Sequence, residues 1–98
     1  MSDILYGASR NGVKYRNRTD IVAQMVESAS KGGITKTKIR YTAFVPHEQM
    51  DEFFALLVKN DLICYDQKTH LYSSTSQGMR FLEAYNNLHD CLSSIQLF

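Results

Sequence analysis

The sequence predicts an α+β fold that is mostly helical, with a two-stranded sheet placed before the last helix. Two observations lead to it: apolar residues recur at helical spacing in four segments, and a polar turn separates two short strand-favouring segments. The chain has 98 residues, of which 44% are hydrophobic and 21% charged. This length and composition are those of one small globular domain, and no apolar run approaches the roughly 20 residues that span a membrane.

The first part of the chain predicts an arm followed by one helix. Residues 1–17 show no sustained period, so we expect an N-terminal arm. The segment RTDIVAQMVESAS carries a broad apolar stripe, and Asp20 lies where an acid complements the positive end of a helix. Gly32 and Gly33 are expected to end this helix, because glycine adopts the left-handed conformation of a helix terminus at low cost.

The centre of the chain predicts two helices joined by a tight turn. After a short extended segment at Ile34, Thr35 is expected to cap a helix from Lys36 to about Ala43. FVP interrupts it, and Pro46 suits the first turn of a third helix that runs to about Asn60. The residues expected to face the core are Ile39, Ala43, Met50, Phe53, Phe54 and Leu57. Such a pair is a helix-turn-helix.

The segments LICYD and HLYSS predict a hairpin, since they are rich in strand-favouring residues and QKT separates them. Cys64 lies in the apolar run LIC, so we expect it to pack as a small hydrophobic residue. Tyr41, Tyr65, Tyr72 and Tyr85 are expected to be core or interface rings rather than base-stacking platforms. Thr75 then caps a final helix from Ser76 to near Ser94.

The final helix carries apolar residues at the spacing of a short coiled coil. They follow one another at intervals of 4, 3, 4 and 3, and are Phe81, Tyr85, Leu88, Leu92 and Ile95. We expect this seam to pair with a second copy of the chain, although packing within the domain would explain Phe81 and Tyr85 equally well. Residues 18–75 then form the domain and residues 76–98 the dimerisation helix. A seam this short sets neither parallel nor antiparallel pairing.

The order helix, short strand, helix, helix, strand, strand, helix is that of a winged helix-turn-helix. From Arg18 to Leu92 the chain resembles an archaeal winged-helix family of small predicted transcriptional regulators and chromatin-associated DNA-binding proteins. GGITKTKIRYTA, FFALLVKNDLI and YSSTSQGMRFLEAY carry the resemblance. It implies a double-stranded DNA binder that dimerises through its C-terminal helix in an antiparallel coiled coil, with the third helix toward the major groove and the hairpin as wing.

The sequence departs from the pattern of that family at four positions. Pro46 stands where relatives usually have a Ser or Asn cap, and Asp61 stands where a Gly usually precedes the first wing strand. Asp51 and Glu52 occupy positions that are often basic in relatives. These two acids oppose the approach of phosphates, so they bear directly on DNA binding.

Charge is distributed unevenly along the chain. Residues 1–40 carry eight basic and three acidic residues, a net charge of +5, whereas residues 41–98 carry three basic and seven acidic residues, a net charge of −4. A basic half is consistent with a polyanionic partner, although a solvated lysine-rich and arginine-rich face is about as common.

The candidate DNA contacts fall into two groups. Six basic residues are placed to hold the phosphate backbone: Arg16, Arg18, Lys36, Lys38, Arg40 and Lys68. His47 and Gln49, at the start of the third helix, can reach base edges, and Gln49 suits adenine, although the two would be equally ordinary as solvated surface side chains. The outward face of that helix carries Glu48, Glu52, Ala55 and Lys59 and is a poor reader of DNA sequence. We therefore expect weak, salt-sensitive binding dominated by backbone contacts.

The sequence gives no sign of enzymatic chemistry. His47, His70 and His89 are isolated from one another, Cys64 and Cys91 form no CxxC pair, and no phosphate-binding loop appears. No cofactor, metal ion or small-molecule substrate is indicated. We expect a cytoplasmic, nucleoid-associated homodimer that binds double-stranded DNA as a transcriptional regulator or architectural factor. The alternative is a winged-helix module whose acidic third helix binds another protein.

Overall fold

The computed structural model describes residues 17–94. In chain order they form α1 (Arg18–Ser28), α2 (Lys36–Ala43), a 3₁₀ turn (His47–Gln49), α3 (Met50–Lys59), β1 (Ile63–Asp66), β2 (Leu71–Ser74) and α4 (Ser76–Ser94). This order confirms the predicted succession of helices and strands. The predicted arm before Asn17, together with Arg16 and Ile95, lies outside the described residues.

Side-chain caps begin three of the helices. Asn17 Oδ1 accepts from the Asp20 N–H at 2.9 Å, and Asp20 Oδ2 accepts from the Asn17 N–H at 3.1 Å, which is a capping box. Thr35 Oγ1 accepts from the Lys38 N–H at 3.1 Å, and Thr75 Oγ1 accepts from the Gly78 N–H at 2.9 Å. Each cap satisfies an N–H that has no partner within its helix, and contributes about 1 kcal/mol.

The turn between α2 and α3 differs in detail from the prediction. Phe44 follows α2 in the left-handed conformation, with φ 56° and ψ 48°. Pro46 precedes a 3₁₀ turn rather than lying inside α3, because its carbonyl accepts from the Gln49 N–H at 2.9 Å and so closes a tighter, three-residue turn. Asp61, with φ 59°, makes the left-handed turn that follows α3, at the position where relatives usually have a Gly.

The core lies where α1, α2 and α3 meet the hairpin and the first half of α4. The largest side chains that are fully buried in it are Met25, Val26, Ile39, Phe53, Leu57 and Ile63. All six core residues predicted for α2 and α3 are buried. Among the described residues, no polar or charged residue is fully buried. The interior of the helix-turn-helix is therefore apolar.

The hairpin pairs β1 with β2 in antiparallel register, from Ile63 opposite Ser74 to Asp66 opposite Leu71. Ile34 adds a short third segment, since its N–H donates to the Tyr72 carbonyl at 3.0 Å and its carbonyl accepts from the Tyr72 N–H at 2.8 Å. The prediction that Cys64 packs inward is wrong. Ile63 faces the core, and because side chains alternate along a strand, Cys64 is exposed.

The four tyrosines of the domain occupy different environments. Tyr72 and Tyr85 are partly buried against the core, as predicted. Tyr41 is not a core ring: it is 66% exposed, because it lies on the side of α2 opposite Ile39. Tyr65 is 44% exposed and packs against Tyr72, with 4.8 Å between ring centroids.

Helix α4 belongs to the core at its start and leaves it further on. Gly78 allows the close approach of its first turn, since a Cβ there would lie 2.1 Å from the Leu62 carbonyl oxygen. Leu82 is buried, and Phe81 and Tyr85 pack against the core. Leu88 and Leu92 are 60% and 61% exposed. Phe81 and Tyr85 thus have partners within their own domain, whereas the two leucines continue the seam into solvent.

Among the described residues, none of the helices combines the length and the apolar character that crossing a membrane requires.

Candidate nucleic-acid interface

The outward face of α3 has the composition that the sequence predicted. Glu48, Glu52, Ala55 and Lys59 are all exposed. His47 and Gln49 are also exposed, in the 3₁₀ turn that leads into α3. The helix therefore presents acidic residues near its N-terminal end and a single lysine in its last turn.

Glu52 is paired with a cation from α1. Arg18 Nη2 lies 3.0 Å from Glu52 Oε2, and the Arg18 guanidinium lies 4.9 Å from the centroid of the Phe53 ring. Each side chain of the ion pair is 57% exposed, so the pair contributes only about 0–1 kcal/mol to stability. The ion pair matters more for the predicted DNA contacts than for stability. Arg18 is a predicted phosphate contact, and Glu52 of α3 holds its guanidinium.

Asp51 is paired in the same way with a cation from α2. Lys36 Nζ lies 3.4 Å from Asp51 Oδ1 and 5.1 Å from the centroid of the Phe54 ring. The two acids that depart from the family pattern are therefore each matched by a cation of the same chain. The sequence did not reveal these pairs, because 15 and 34 residues separate the partners.

The other predicted phosphate contacts lie in three separate places. Arg40 is four residues from Lys36 and so lies on the same side of α2, where its guanidinium lies 5.3 Å from the centroid of the Tyr41 ring. Its Nε is buried and has no hydrogen-bond partner among the described residues. Lys38 lies on the other side of α2, and Lys68 lies in the turn of the wing. Within the described part of the chain, none of these three cations forms an ion pair.

A row of rings connects α3 to the wing. The Phe54 and Tyr72 centroids are 5.1 Å apart, Tyr72 packs against Tyr65, and the Tyr65 hydroxyl lies 2.7 Å from His70 Nδ1. These contacts fix the wing, and with it Lys68, relative to the helix-turn-helix. Sequence reasoning treated His70 as isolated, because the hairpin register that brings it to Tyr65 was not known.

A hydrogen bond connects the start of α1 to α4. The Tyr85 hydroxyl donates to Asp20 Oδ1, the second oxygen of the carboxylate that completes the α1 cap. Burial, together with the hydrogen bond to Asp20 and its negative charge, raises the pKa of Tyr85 from 10.0 to about 12. The orientation of α4 is thereby tied to the end of α1 that carries Arg18.

The fold defines the class of this protein, a winged helix-turn-helix with a long C-terminal helix. Residues 15–93 match the model of the winged helix-turn-helix family, and the chain belongs to that family. Among solved structures it is similar to Sso10a-2, described as a DNA-binding protein from Sulfolobus solfataricus, with a TM-score of 0.65. The two share 17% sequence identity over 81% of this chain and 87% of that chain, so the likeness is one of fold. No curated protein gives a significant match. The resemblance to a winged-helix family is confirmed.

Proposed function

We propose that this protein is a homodimer that binds double-stranded DNA, mainly through the phosphate backbone, as a transcriptional regulator or architectural factor. The observation that carries the proposal is the winged helix-turn-helix itself, in a family match that covers residues 15–93. The DNA-binding description of the structurally similar Sulfolobus protein supports it. Lys38, Arg40 and Lys68 supply cations that form no ion pair with an acid in the described part of the chain.

The ion pairs of α3 explain how an acidic helix is compatible with this function. Arg18 and Lys36 offset the charges of Glu52 and Asp51, so the face repels phosphates less than its composition suggests. The same face of α3 also attracts phosphates only weakly. Sequence-dependent contacts then rest on His47 and Gln49, and most of the affinity comes from contacts that are the same on every sequence.

Dimerisation is proposed through α4. Leu88 and Leu92 lie four residues apart on one side of the helix and are mostly exposed. Covering each leucine with a second copy of α4 contributes about 1.5–3 kcal/mol at full burial. In this proposal residues 76–98 form the dimerisation helix, although its first turns also complete the core, and a dimer doubles the cations available to one duplex.

The proposal is tested by titrating a random-sequence duplex with single-site variants. Lys38→Gln and Lys68→Gln should each weaken binding by a similar factor on all sequences and lower the magnitude of the salt slope by about 1. Arg80→Gln, which removes an exposed cation of α4, is the matched control and should leave affinity unchanged. Equal effects of all three variants would show that binding follows net charge and not a defined surface.

A second candidate function is a protein-docking module. The observation that favours it is the composition of the exposed face of α3, where Glu48, Asp51 and Glu52 outnumber Lys59. The fold accommodates either function. The same titration separates them, since a docking module shows no DNA complex even at low salt.

A further inference from the structure

A groove runs along the side of α2 that faces away from α3. It has a volume of about 660 Å³ and lies between the C-terminal half of α1, the Gly32–Gly33 loop, α2 and the first residue of β2. We call it the α1–α2 groove. Its volume lies within the range of roughly 300–1,000 Å³ that is typical of small-molecule sites.

Two lysines reach the α1–α2 groove from different elements. Lys31 follows α1 and Lys38 lies in the first turn of α2, and both side chains are exposed. Neither has an acidic partner within ion-pair distance among the described residues. Two lysines that line one cavity favour an anionic ligand, and a phosphate can accept hydrogen bonds from both.

The other residues that line the groove indicate which chemical groups the ligand carries besides its phosphate. Ser28, Thr35 and Thr42 contribute hydroxyl groups, and Glu27 contributes a carboxylate. An ionised carboxylate only accepts hydrogen bonds, so the part of the ligand near Glu27 carries a donor such as a hydroxyl or an amino group. Ile34 and Leu71 add apolar surface. A simple inorganic anion would contact only part of this lining.

Glycine at position 33 gives the end of the α1–α2 groove its shape. A Cβ on Gly33 would lie 2.6 Å from Leu71 Cδ1, so any other residue displaces the leucine that closes the groove on the wing side. Gly32 has φ 110°, a conformation that residues with a Cβ rarely adopt. The two glycines thus form a turn that brings Lys31 beside α2 and allows the wing to close the cavity.

We propose that the α1–α2 groove binds a small phosphorylated compound of about the size of a mononucleotide. Its phosphate lies between Lys31 and Lys38, and its hydroxyl or amino groups meet Glu27 and the hydroxyl side chains. Lys38 is shared with the proposed DNA contacts, whereas Lys31 is not among them and reports on the groove alone. Sequence reasoning did not find the groove, because it is assembled from α1, α2 and β2.

Calorimetric titration of the full-length chain with adenosine 5′-monophosphate, without DNA and at low salt, tests this proposal. We expect saturable binding of one molecule per chain. Lys31→Gln and Lys38→Gln should each weaken it about tenfold, as expected for loss of a charge-assisted contact. Lys59→Gln, which removes an exposed lysine of α3 that does not line the groove, should leave it unchanged.

Two further measurements separate a defined site from general attraction of anions. Thr42→Tyr introduces a ring into the groove at an exposed position of α2 and should abolish binding while the circular dichroism spectrum stays native. Adenosine, which lacks the phosphate, should bind at least tenfold more weakly. The proposal is overturned by absence of saturable binding, by equal binding of adenosine, or by equal effects of Lys59→Gln and Lys31→Gln. None of these results bears on DNA binding, which is measured separately.

Discussion

The Tyr85 hydroxyl lies 2.5 Å from Asp20 Oδ1, and this contact joins residues 65 positions apart in the chain. Asp20 is also the acid of the α1 capping box, so one carboxylate serves the start of α1 and the middle of α4. The proposed dimerisation helix is thereby attached to the end of α1 that carries Arg18.

Removing this hydroxyl should destabilise the domain without changing its core. Tyr85→Phe keeps the ring in place and removes a hydrogen bond to a charged acceptor, so the free energy of unfolding should fall by about 1–2 kcal/mol. Urea denaturation measures the change. In a double-mutant cycle, Tyr85→Phe should have little effect once Asp20→Ala is present. Equal effects in the two backgrounds would exclude the bond as the cause.

The stability contributed by this contact should disappear at high pH. The folded state raises the pKa of Tyr85 from 10.0 to about 12, so the contribution is fully present below pH 10 and is lost as the pH rises from 10 to 12. The free energies of unfolding of the wild type and of Tyr85→Phe should converge across this window. A constant difference between them up to pH 12 would contradict the assigned pKa.

Neutralising the acids of α3 should strengthen DNA binding. Asp51→Asn with Glu52→Gln removes two negative charges and releases Lys36 and Arg18 for phosphates, so the salt slope should steepen by up to about 2 per chain. The stability should change by less than about 1 kcal/mol per pair. Titration of labelled duplex by fluorescence anisotropy measures the affinity.

The control for this double variant is Glu83→Gln with Asp90→Asn, which makes the same charge change at exposed positions of α4. It should alter DNA affinity much less. If the two double variants gain equally, the ion pairs with Arg18 and Lys36 have no special role, and net charge alone sets the affinity.

Introducing charged residues into the exposed seam of α4 should dissociate the proposed dimer. Leu88→Glu with Leu92→Glu replaces apolar contacts by like charges facing each other, so sedimentation equilibrium should give the mass of one chain in place of two. Because both leucines are mostly exposed within one chain, the domain should stay folded. Asn86→Glu, on the opposite side of the helix, is the control and should remain dimeric. An unchanged mass in the double variant would place the dimer contact elsewhere.

Phe44 occupies a conformation that favours glycine. A residue with a Cβ loses about 1–2 kcal/mol in the left-handed region, whereas glycine does not. Phe44→Gly should therefore be more stable than Phe44→Ala by about 1 kcal/mol, although both lose the same ring. Thermal unfolding of the two variants compares them, and equal midpoints would indicate that the turn relaxes its backbone.

Local pattern was enough to predict the elements of the fold. Helical spacing placed Met50 and Phe53 in the core, and Thr35 and Thr75 capped the helices that they were expected to cap. Contacts between segments that are distant in the chain could not be predicted from local sequence pattern. Pairing of Arg18 with Glu52 and the convergence of Lys31 and Lys38 depend on how helices pack, which periodicity along one helix does not specify.

The salt dependence of DNA affinity tests the central claim most directly. If Lys38, Arg40 and Lys68 of two copies each meet a phosphate, a plot of log affinity against log salt should have a slope of about −5, since each contact contributes roughly −0.9. The same slope should hold on unrelated sequences. Absence of a complex at low salt, or an affinity that does not change with salt, would contradict a protein that binds double-stranded DNA through its backbone.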